Sequence, residues 1–320
     1  MAEIGSRSTP GRRSFQLPEM LHRFFDGDIF YSFKHSPLTI VAAAIVVACI
    51  LAATFAPFVA PHNPFDLKTL NLLDAFTPPA FTGRGNPTYI LGTDDQGRDV
   101  LSTIIFGSRM SLIIGLGATL LAMVFGVSMG LMSGYIGGKF DAFVMRVADI
   151  QLSFPAILIA LLIDGVARAV LPKGSHDELA AYVLILAIAA SGWVSYARTV
   201  RGSTLVERNK EYVQAARVIG RHPLSIMFSH VLPNVLGPVL VIATLQIGAA
   251  IITESSLSYL GVGVPPTQPS LGTLIRIGND FLFSGEWWIT VFPGAALVIV
   301  VLSINVLGDW LRDALNPRLR

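Results

Sequence analysis

The sequence predicts an all-α membrane protein with about six transmembrane helices, because of its composition and the length of its apolar runs. Hydrophobic residues make up 52% of the 320 residues and charged residues 14%, whereas a soluble domain carries roughly a quarter charged residues. The apolar residues gather in six runs, each long enough to cross a bilayer. A backbone inside lipid must satisfy its own hydrogen bonds, so each run is predicted to be a helix.

Five of the six predicted spans hold at most one charged residue. The spans are 38–60, 111–133, 143–171, 179–200, 235–252 and 289–307. The third span is different, since Arg146, Asp149, Asp164 and Arg168 flank an apolar centre at 150–163. These charges are costly in lipid and are expected to face protein, water or the membrane surface. The first run is too long for the apolar part of a signal peptide, so we expect it to remain as a span.

Basic residues predict how the spans are oriented. Six spans place both termini on one side of the membrane, and lysine and arginine favour the cytoplasmic side. Sixteen basic residues fall on the side that holds both termini and the loop 201–234, and seven fall on the other side. The predicted order is a cytoplasmic tail at 1–37, a first helix at 38–60, an extracytoplasmic loop at 61–110, a transmembrane core at 111–312 and a cytoplasmic tail at 313–320.

The cytoplasmic loop 201–234 carries a narrow apolar stripe at helical spacing. The stripe consists of Tyr212, Ala215, Ala216 and Ile219. A spacing of i, i+3, i+4 and i+7 predicts a short amphipathic helix, and Gly220 is placed to end it in a left-handed conformation. The two small alanines would let the backbone of a partner approach closely. The stripe alone also fits a helix lying in the lipid interface.

Prolines predict where helices stop and start. Pro223 can begin a second short helix in the inner loop, and Pro233 is predicted to break the chain just before the fifth span. In the outer loop 255–288, three prolines forbid a continuous helix. They are Pro265, Pro266 and Pro269.

A longer spacing pattern runs through the same inner loop. It consists of Gln214-Ala215-Ala216, Gly220, His230 and Leu232-Pro233. The pattern resembles the signature of permease subunits of ATP-binding-cassette importers, specifically the oligopeptide/dipeptide/nickel family. That signature reads Glu-Ala-Ala, three residues, Gly, nine residues, Ile, one residue and Leu-Pro. Gln214 replaces the Glu, which removes a charge that could pair with a partner, and His230 replaces the Ile.

Three further runs extend the resemblance over roughly residues 37–320. The runs 91–102, 254–264 and 308–318 resemble the family's segments before the second span, at the exit of the fifth and at the cytoplasmic end. Leu271 departs from the pattern, since a Trp is usual there. Four runs in the right order make the resemblance specific, and it is closest to the second permease type of the family.

The resemblance implies a division of labour among several chains. It implies a second homologous permease, two ATP-binding-cassette ATPase subunits and an extracytoplasmic solute-binding protein, assembled in the inner membrane of a bacterium. ATP and Mg would be bound by the ATPases, so no cofactor and no catalysis are expected in this chain. Its sequence contains no Gly-x-x-x-x-Gly-Lys-Ser/Thr loop for nucleotide phosphates. The cargo implied is a peptide or a related small solute.

The resemblance also implies which residues couple the spans to the ATPases. In the family, the short inner helix docks in a groove on the ATPase and transmits closure of the nucleotide dimer. The corresponding positions are Glu211, Tyr212, Gln214, Ala215, Ala216, Arg217, Ile219, Gly220, Leu232 and Pro233.

Five outer residues are candidates for contact with the solute or its receptor. Asp94, Arg98 and Asp99 are expected to form a salt-bridged surface loop, with contact to the substrate-delivering protein as the alternative. Glu254 and Ser255 are expected at the end of the fifth span, where they would face the pore or the receptor.

Small and charged residues within the spans have structural interpretations as well. Gly126, Gly130 and Gly134 repeat every four residues, which predicts a strip for close helix packing. Asp164 and Arg168 are four residues apart and are predicted to pair within one helix near the outer surface.

Other functions receive less support from the sequence. A self-sufficient secondary transporter or channel is the alternative, motivated by Asp149, Asp164 and Glu254 in or near spans. Broken helices or paired half-repeats would favour it, and the sequence predicts neither. Asp149 is instead assigned a structural role at a helix end. An intramembrane enzyme, a metal site and nucleic-acid binding have no recognisable residue pattern.

Overall fold

The computed structural model describes residues 28–66, 70–172 and 175–314. Most of the predicted tails 1–37 and 313–320, and the end of the run 308–318, therefore lie outside the described residues. So do several of the basic residues that predict the orientation. They are Arg7, Arg12, Arg13, Arg23, Lys68, Lys173, Arg318 and Arg320.

Helices account for the regular structure of the described residues. In chain order they are α1 (Asp28–Lys34), α2 (Pro37–Thr54), α3 (Ala56–Val59), α4 (Val100–Ile136), α5 (Gly138–Leu152), α6 (Ala156–Val170), α7 (Ser175–Glu207), α8 (Glu211–Val218), α9 (Pro223–Ile226), α10 (Leu232–Tyr259), α11 (Leu271–Asn279) and α12 (Trp288–Ala314). Among the described residues, five helical stretches are long and apolar enough to span a membrane, and a bent pair adds a sixth. The predicted all-α fold with about six spans is confirmed.

The bent pair corrects the third predicted span. Helices α5 and α6 meet at an angle of 95° instead of forming one helix over 143–171. The break lies at Ser153-Phe154-Pro155, and Pro155 has an extended backbone with ψ of 133°. A proline disfavours the helical conformation of the residue before it, which accounts for the position of the break. The prediction that the spans contain no broken helix is therefore wrong.

The second span begins earlier than its apolar run. Helix α4 starts at Val100, inside the predicted loop 61–110, because the Asp99 carboxylate accepts a hydrogen bond from the Ser102 backbone N–H at 2.9 Å and caps the helix. The first predicted span, 38–60, is divided at Phe55 into α2 and the short helix α3.

The chain stays helical through Pro233, which corrects the predicted break. A π-helical turn, Met227–Val231, joins α9 to α10, so the helical stretch runs from Pro223 to Tyr259. Pro233 lies in the first turn of α10, directly after the π-helical turn. In the outer loop, by contrast, the helix does end at Tyr259, before the three prolines.

Close packing of α4 on α7 forms the centre of the bundle. A Cβ at Gly126 would lie 2.4 Å from the Trp193 carbonyl oxygen, and one at Gly130 would lie 2.4 Å from that of Ala197. At Gly134 it would lie 2.7 Å from the Thr204 Cβ. The predicted glycine strip for helix packing is confirmed. Helix α10 packs against both α4 and α7, and α2 packs at the edge against α12 and α4.

The bundle has two ends of different construction. One end contains the last residues of α4 and α7 together with α8 and α9, and we call it the α8 end. At the other end, α4 and α12 begin, α10 finishes and α11 packs against α10 and α12, and we call this the α11 end.

Candidate functional site

Helix α8 is a short rod with a defined end. It runs from Glu211 to Val218, and Gly220 follows with φ of 78°, the left-handed conformation that the sequence predicts. The backbone N–H of Arg221 donates to the Ala216 carbonyl oxygen at 3.1 Å and closes the helix end. A side chain at Gly220 would meet open space, so the glycine is required by its backbone conformation alone.

The residues that are exposed on α8 differ from those of the predicted stripe. Val213 and Ala216 are buried in a cluster with residues of α9 and the π-turn, whereas Val218 is 88% exposed and Ile219 79% exposed. Ala215 is exposed beside them. Ala216 therefore packs on its own chain and does not present itself to a partner, which corrects its predicted place in the stripe. The exposed apolar surface of α8 consists of Ala215, Val218 and Ile219, and the stripe omitted Val218.

A hydrogen-bonded cluster attaches α8 to the end of α7. The Tyr212 hydroxyl donates to Glu207 Oε2 at 2.5 Å, and Lys210 Nζ donates to Glu207 Oε1 at 2.6 Å. Asn234 of α10 donates to the Tyr212 hydroxyl oxygen at 3.2 Å. Burial and the hydrogen bond to the Glu207 carboxylate raise the pKa of Tyr212 to about 12. Tyr212 thus remains a neutral donor that connects α7, α8 and α10.

The other predicted coupling residues surround the helix. The Gln214 side chain donates to the Asn209 carbonyl oxygen at 3.0 Å, and the Arg217 guanidinium lies 5.0 Å from the centre of the Tyr135 ring. Glu211 and Pro233 are exposed, and Leu232 is partly buried. The structure therefore brings the predicted set together at the α8 end, with several members bonded to their own chain.

Ion pairs and a hydrogen bond that the sequence did not reveal connect α4, α5 and α7 at the α8 end. Arg201 on α7 binds both carboxylate oxygens of Asp141 on α5, at 2.5 and 2.6 Å. Arg208 donates to the carbonyl oxygen of Gly134 in the last turn of α4, at 2.8 Å. Sixty residues separate Asp141 from Arg201, so no local spacing pattern could have indicated the pair. Asp149, assigned a role at a helix end, pairs with Arg198 of α7.

Asp94 and Arg98 at the α11 end form a buried ion pair. Their side chains are 4% and 3% exposed, and Arg98 Nε lies 2.6 Å from Asp94 Oδ2. Asp99 is buried as well, because it caps α4. The predicted salt bridge is present, but the prediction that it lies on a surface loop is wrong. Burial, reinforced by the neighbouring Asp94 charge, raises the pKa of Asp95.

Glu254 is enclosed by hydroxyl groups and faces neither a pore nor a surface. It is fully buried, and it accepts hydrogen bonds from Ser111 Oγ at 2.9 Å and Ser258 Oγ at 2.7 Å. Its neighbour Ser255 is 5% exposed, and a Cβ at Gly272 of α11 would lie 2.4 Å from the Ser255 carbonyl oxygen. In this conformation both residues hold α4, α10 and α11 together, which corrects their predicted exposure.

The predicted pair within the third span is confirmed. Arg168 Nε lies 2.6 Å from Asp164 Oδ2, and the Asp164 side chain is 1% exposed. Among the residues that the structure describes, no three His, Cys, Asp or Glu side chains are grouped to hold a metal ion.

Two protein-family models match the chain. The model described as "Binding-protein-dependent transport system inner membrane component" matches residues 122–320. The model described as "N-terminal TM domain of oligopeptide transport permease C" matches residues 25–79. The second match contains α2 and α3, and the first contains most of the bundle.

Individual relatives match over nearly the whole length. The dipeptide transport system permease protein DppC of Haemophilus influenzae is 36% identical over 293 residues, which cover 92% of this chain and 95% of the relative. The oligopeptide transport system permease protein OppC of Bacillus subtilis is 39% identical over 293 residues, covering 92% and 90%. A chain of the inward-facing MetNI methionine ABC transporter has a similar fold, with a TM-score of 0.52, 18% identity and coverage of 67% and 96%.

Proposed function

Because this chain belongs to the family of binding-protein-dependent transport system inner membrane components, we propose that it forms half of a translocation pathway for peptides or related small solutes. The chain is a permease subunit of an ATP-binding-cassette importer in the bacterial inner membrane. The peptide cargo is supported by the names of its relatives, which are dipeptide and oligopeptide permeases. A second permease of the same type would supply the other half.

The exposed apolar surface of α8 carries the proposal for coupling. Three apolar residues protrude there on a rod whose opposite face is buried in the bundle. Fully burying a Val or Ile side chain contributes roughly 1.5–3 kcal/mol, so this surface is stabilised by a partner that covers it. A groove on an ATPase subunit fits the short rod and its small Ala215.

The charges of the α8 end support a cytoplasmic location. Five basic residues gather near the ends of α7 and α8, as expected for the cytoplasmic side. They are Arg201, Arg208, Lys210, Arg217 and Arg221. The α11 end would then face outward and receive solute from the binding protein. ATP and Mg would be bound by the ATPases.

Reconstitution tests this proposal. We expect peptide uptake into proteoliposomes only when the two permeases, the ATPases and the binding protein are all present with ATP. Changing Val218 and Ile219 to Asp should abolish association with the ATPases. The control is Leu73→Asp, since Leu73 is 92% exposed but lies in the predicted outer loop. Uptake of peptide that persists after Val218→Asp and Ile219→Asp would contradict coupling through α8.

One observation favours a second candidate function. The broken third span, with its 95° bend, is a feature of secondary transporters that bind solute at interrupted helices. In that case the permeases alone would take up solute along an ion gradient. Uptake without ATPases and without ATP would support this function and reject the first.

A further inference from the structure

A groove of about 410 Å³ lies on the surface of α4 at the α11 end, within the range of about 300–1,000 Å³ for pockets that hold small molecules. Three parts of the chain line it. They are Arg109 and Ile113 of α4, Phe65 from the segment after α3, and Thr267 and Gln268 from the segment before α11. The groove is therefore separate from the exposed surface of α8, and the proposed function does not use it.

Arg109 is an exposed cation without a partner in its own chain. No ion pair or hydrogen bond joins its side chain to another described residue. Arg98 and Arg168 differ, since each lies 2.6 Å from a carboxylate four residues away. The side chains of Thr267 and Gln268 are exposed too, and neither makes a hydrogen bond within the described part of the chain. Three accessible side chains of the groove can therefore donate hydrogen bonds to a bound molecule.

The face of α4 that continues from Arg109 into the bundle is apolar. Ile113, Leu116 and Leu120 follow Arg109 at i+4, i+7 and i+11, so the four residues share one face of the helix. The three apolar side chains are 47%, 45% and 57% exposed. Arg109 itself lies two residues before the apolar run 111–133. The groove therefore lies where α4 enters the hydrocarbon region, with a cation at the boundary and an apolar strip leading inward.

This face of α4 is next to the edge of the bundle. Leu112, the neighbour of Ile113 along the helix, packs in a cluster with Ala53 of α2. Helix α2 packs at the edge, against α12 and α4. A strip of exposed apolar side chains beside an edge helix is stable in lipid, whereas the wall of an aqueous pathway carries polar groups. We therefore expect the groove to open toward lipid.

We infer that the groove binds the phosphate of a phospholipid in the leaflet at the α11 end, with an acyl chain along Ile113, Leu116 and Leu120. A guanidinium is always charged, is weakly hydrated and donates two parallel hydrogen bonds to a phosphate. Thr267 and Gln268 donate to the other phosphate oxygens. A phospholipid has an anionic group followed by apolar chains, which is the order of complementary groups along the groove. The bound lipid joins the segment before α11 to α4.

Lipid binding to the purified transporter assembly tests the site. Native mass spectrometry measures the dissociation constant of phosphatidylglycerol added to the delipidated assembly in detergent. We expect Arg109→Gln to weaken the most tightly bound phosphatidylglycerol at least about 10-fold, as for the loss of charge-assisted hydrogen bonds. Arg109→Lys keeps the charge but not the paired donors, so its loss should be smaller. Because Arg109 is exposed, the thermal stability without added lipid should stay unchanged in both variants.

Arg84→Gln is the matched control. Arg84 is also exposed, lies in the segment before α4 and does not line the groove. The change removes the same charge, so a general attraction of anionic lipid to the protein would fall equally in both variants. We expect the lipid affinity of Arg84→Gln to equal that of the unmodified protein. Equal losses at Arg84 and Arg109 would overturn the inference.

A photoreactive lipid shows where the bound molecule lies. Phosphatidylglycerol with a diazirine on one acyl chain is incorporated into nanodiscs with the assembly, and labelled residues are identified by peptide mapping. We expect labelling at Ile113, and a fall of at least 3-fold there on Arg109→Gln. Val298 is the reference position, because it is 62% exposed on α12, which also begins at the α11 end. Its labelling should not change.

Two results would reject the lipid site. Labelling at Ile113 that Arg109→Gln leaves unchanged would show that lipid meets this face without binding to the cation. Unchanged lipid affinity, with weaker association of the binding protein or the second permease in Arg109→Gln, would show that the groove is a protein contact. Neither result bears on the peptide cargo or on coupling through α8.

Discussion

The exposed face of α8 and the buried charges at the α11 end differ in how their side chains are stabilised. At the α8 end, Val218 and Ile219 are exposed. At the α11 end, Asp94, Arg98 and Glu254 are buried and bonded within the chain. Exposed apolar side chains are stabilised when a partner covers them. Buried charges must instead be paired or hydrogen-bonded within their own chain. The exposed face of α8 is therefore suited to association, whereas the buried Asp94, Arg98 and Glu254 hold a fixed arrangement of helices within the chain.

The largest expected effect is at the buried ion pair. Arg98→Met leaves the Asp94 carboxylate buried without its cation, which should lower the free energy of unfolding by about 3–5 kcal/mol. Denaturant unfolding followed by tryptophan fluorescence measures it, since Trp288 donates to the nearby Thr93 carbonyl oxygen. Adding Asp94→Asn should recover part of the loss. The exposed Arg84 provides a control, and an equal loss on Arg84→Met would contradict the burial argument.

A smaller effect is expected at the carboxylate enclosed by serines. Glu254→Leu deprives the Ser111 and Ser258 hydroxyls of their acceptor, which should cost about 1–3 kcal/mol. Glu254→Gln keeps an acceptor oxygen and should cost less. Thermal unfolding of the purified assembly measures both. If Glu254→Leu leaves stability unchanged but removes stimulation by the binding protein, the residue is a receptor contact and the contrast between the ends fails.

Tyr212→Phe examines how α8 is attached to the bundle. Loss of the hydrogen bond to Glu207 should cost about 1 kcal/mol. The pKa of Tyr212 is raised to about 12 in the folded state, against about 10 in an unfolded chain. The difference between the two proteins should therefore be constant between about pH 6 and about pH 10, shrink as the pH rises through about 12, and shrink again in acid, where the Glu207 carboxylate is protonated. Stability curves over this range provide the measurement, and a decline that begins near neutral pH would contradict the assignment.

The smallest effect on stability is expected on the exposed face of α8. Val218→Ser with Ile219→Ser should change the free energy of unfolding by less than about 0.5 kcal/mol per site, yet weaken ATPase binding more than tenfold. Val213→Ser, on the buried face of the same helix, should instead destabilise the chain. Binding measurements in detergent would compare the two faces. Equal ATPase affinity after the exposed-face changes would show that this end is not an association surface.

The sequence predicted the helices and local ion pairs better than it predicted which side chains are buried. The stripe in loop 201–234 and Gly220 predicted helix α8 and its end correctly, because both depend on local spacing and backbone conformation. Which face is buried depends on α9 and the π-turn, so Ala216 was assigned to the wrong side. The Asp94–Arg98 pair was likewise visible from spacing. Its burial was not, because Arg98 Nη1 lies 3.5 Å from the carbonyl oxygen of Pro266, 168 residues away.

The break in the third span had a signal that hydropathy obscured. Ser153-Phe154-Pro155 contains a proline at the centre of an apolar run, and a window of mean hydropathy averages over it.

The peripheral position of α2 predicts that bilayer thickness affects this helix more than the centre of the bundle. Only 17% of this helix is buried, so lipid is expected to surround most of it. Its 18 residues reach about 27 Å at about 1.5 Å per residue, slightly less than an average hydrocarbon depth of about 30 Å. Hydrophobic mismatch would then be relieved by local thinning of the membrane or by a shift of the kink at Phe55. Acyl-chain length is thus expected to act first on the edge of the bundle, where α2 packs against α12 and α4.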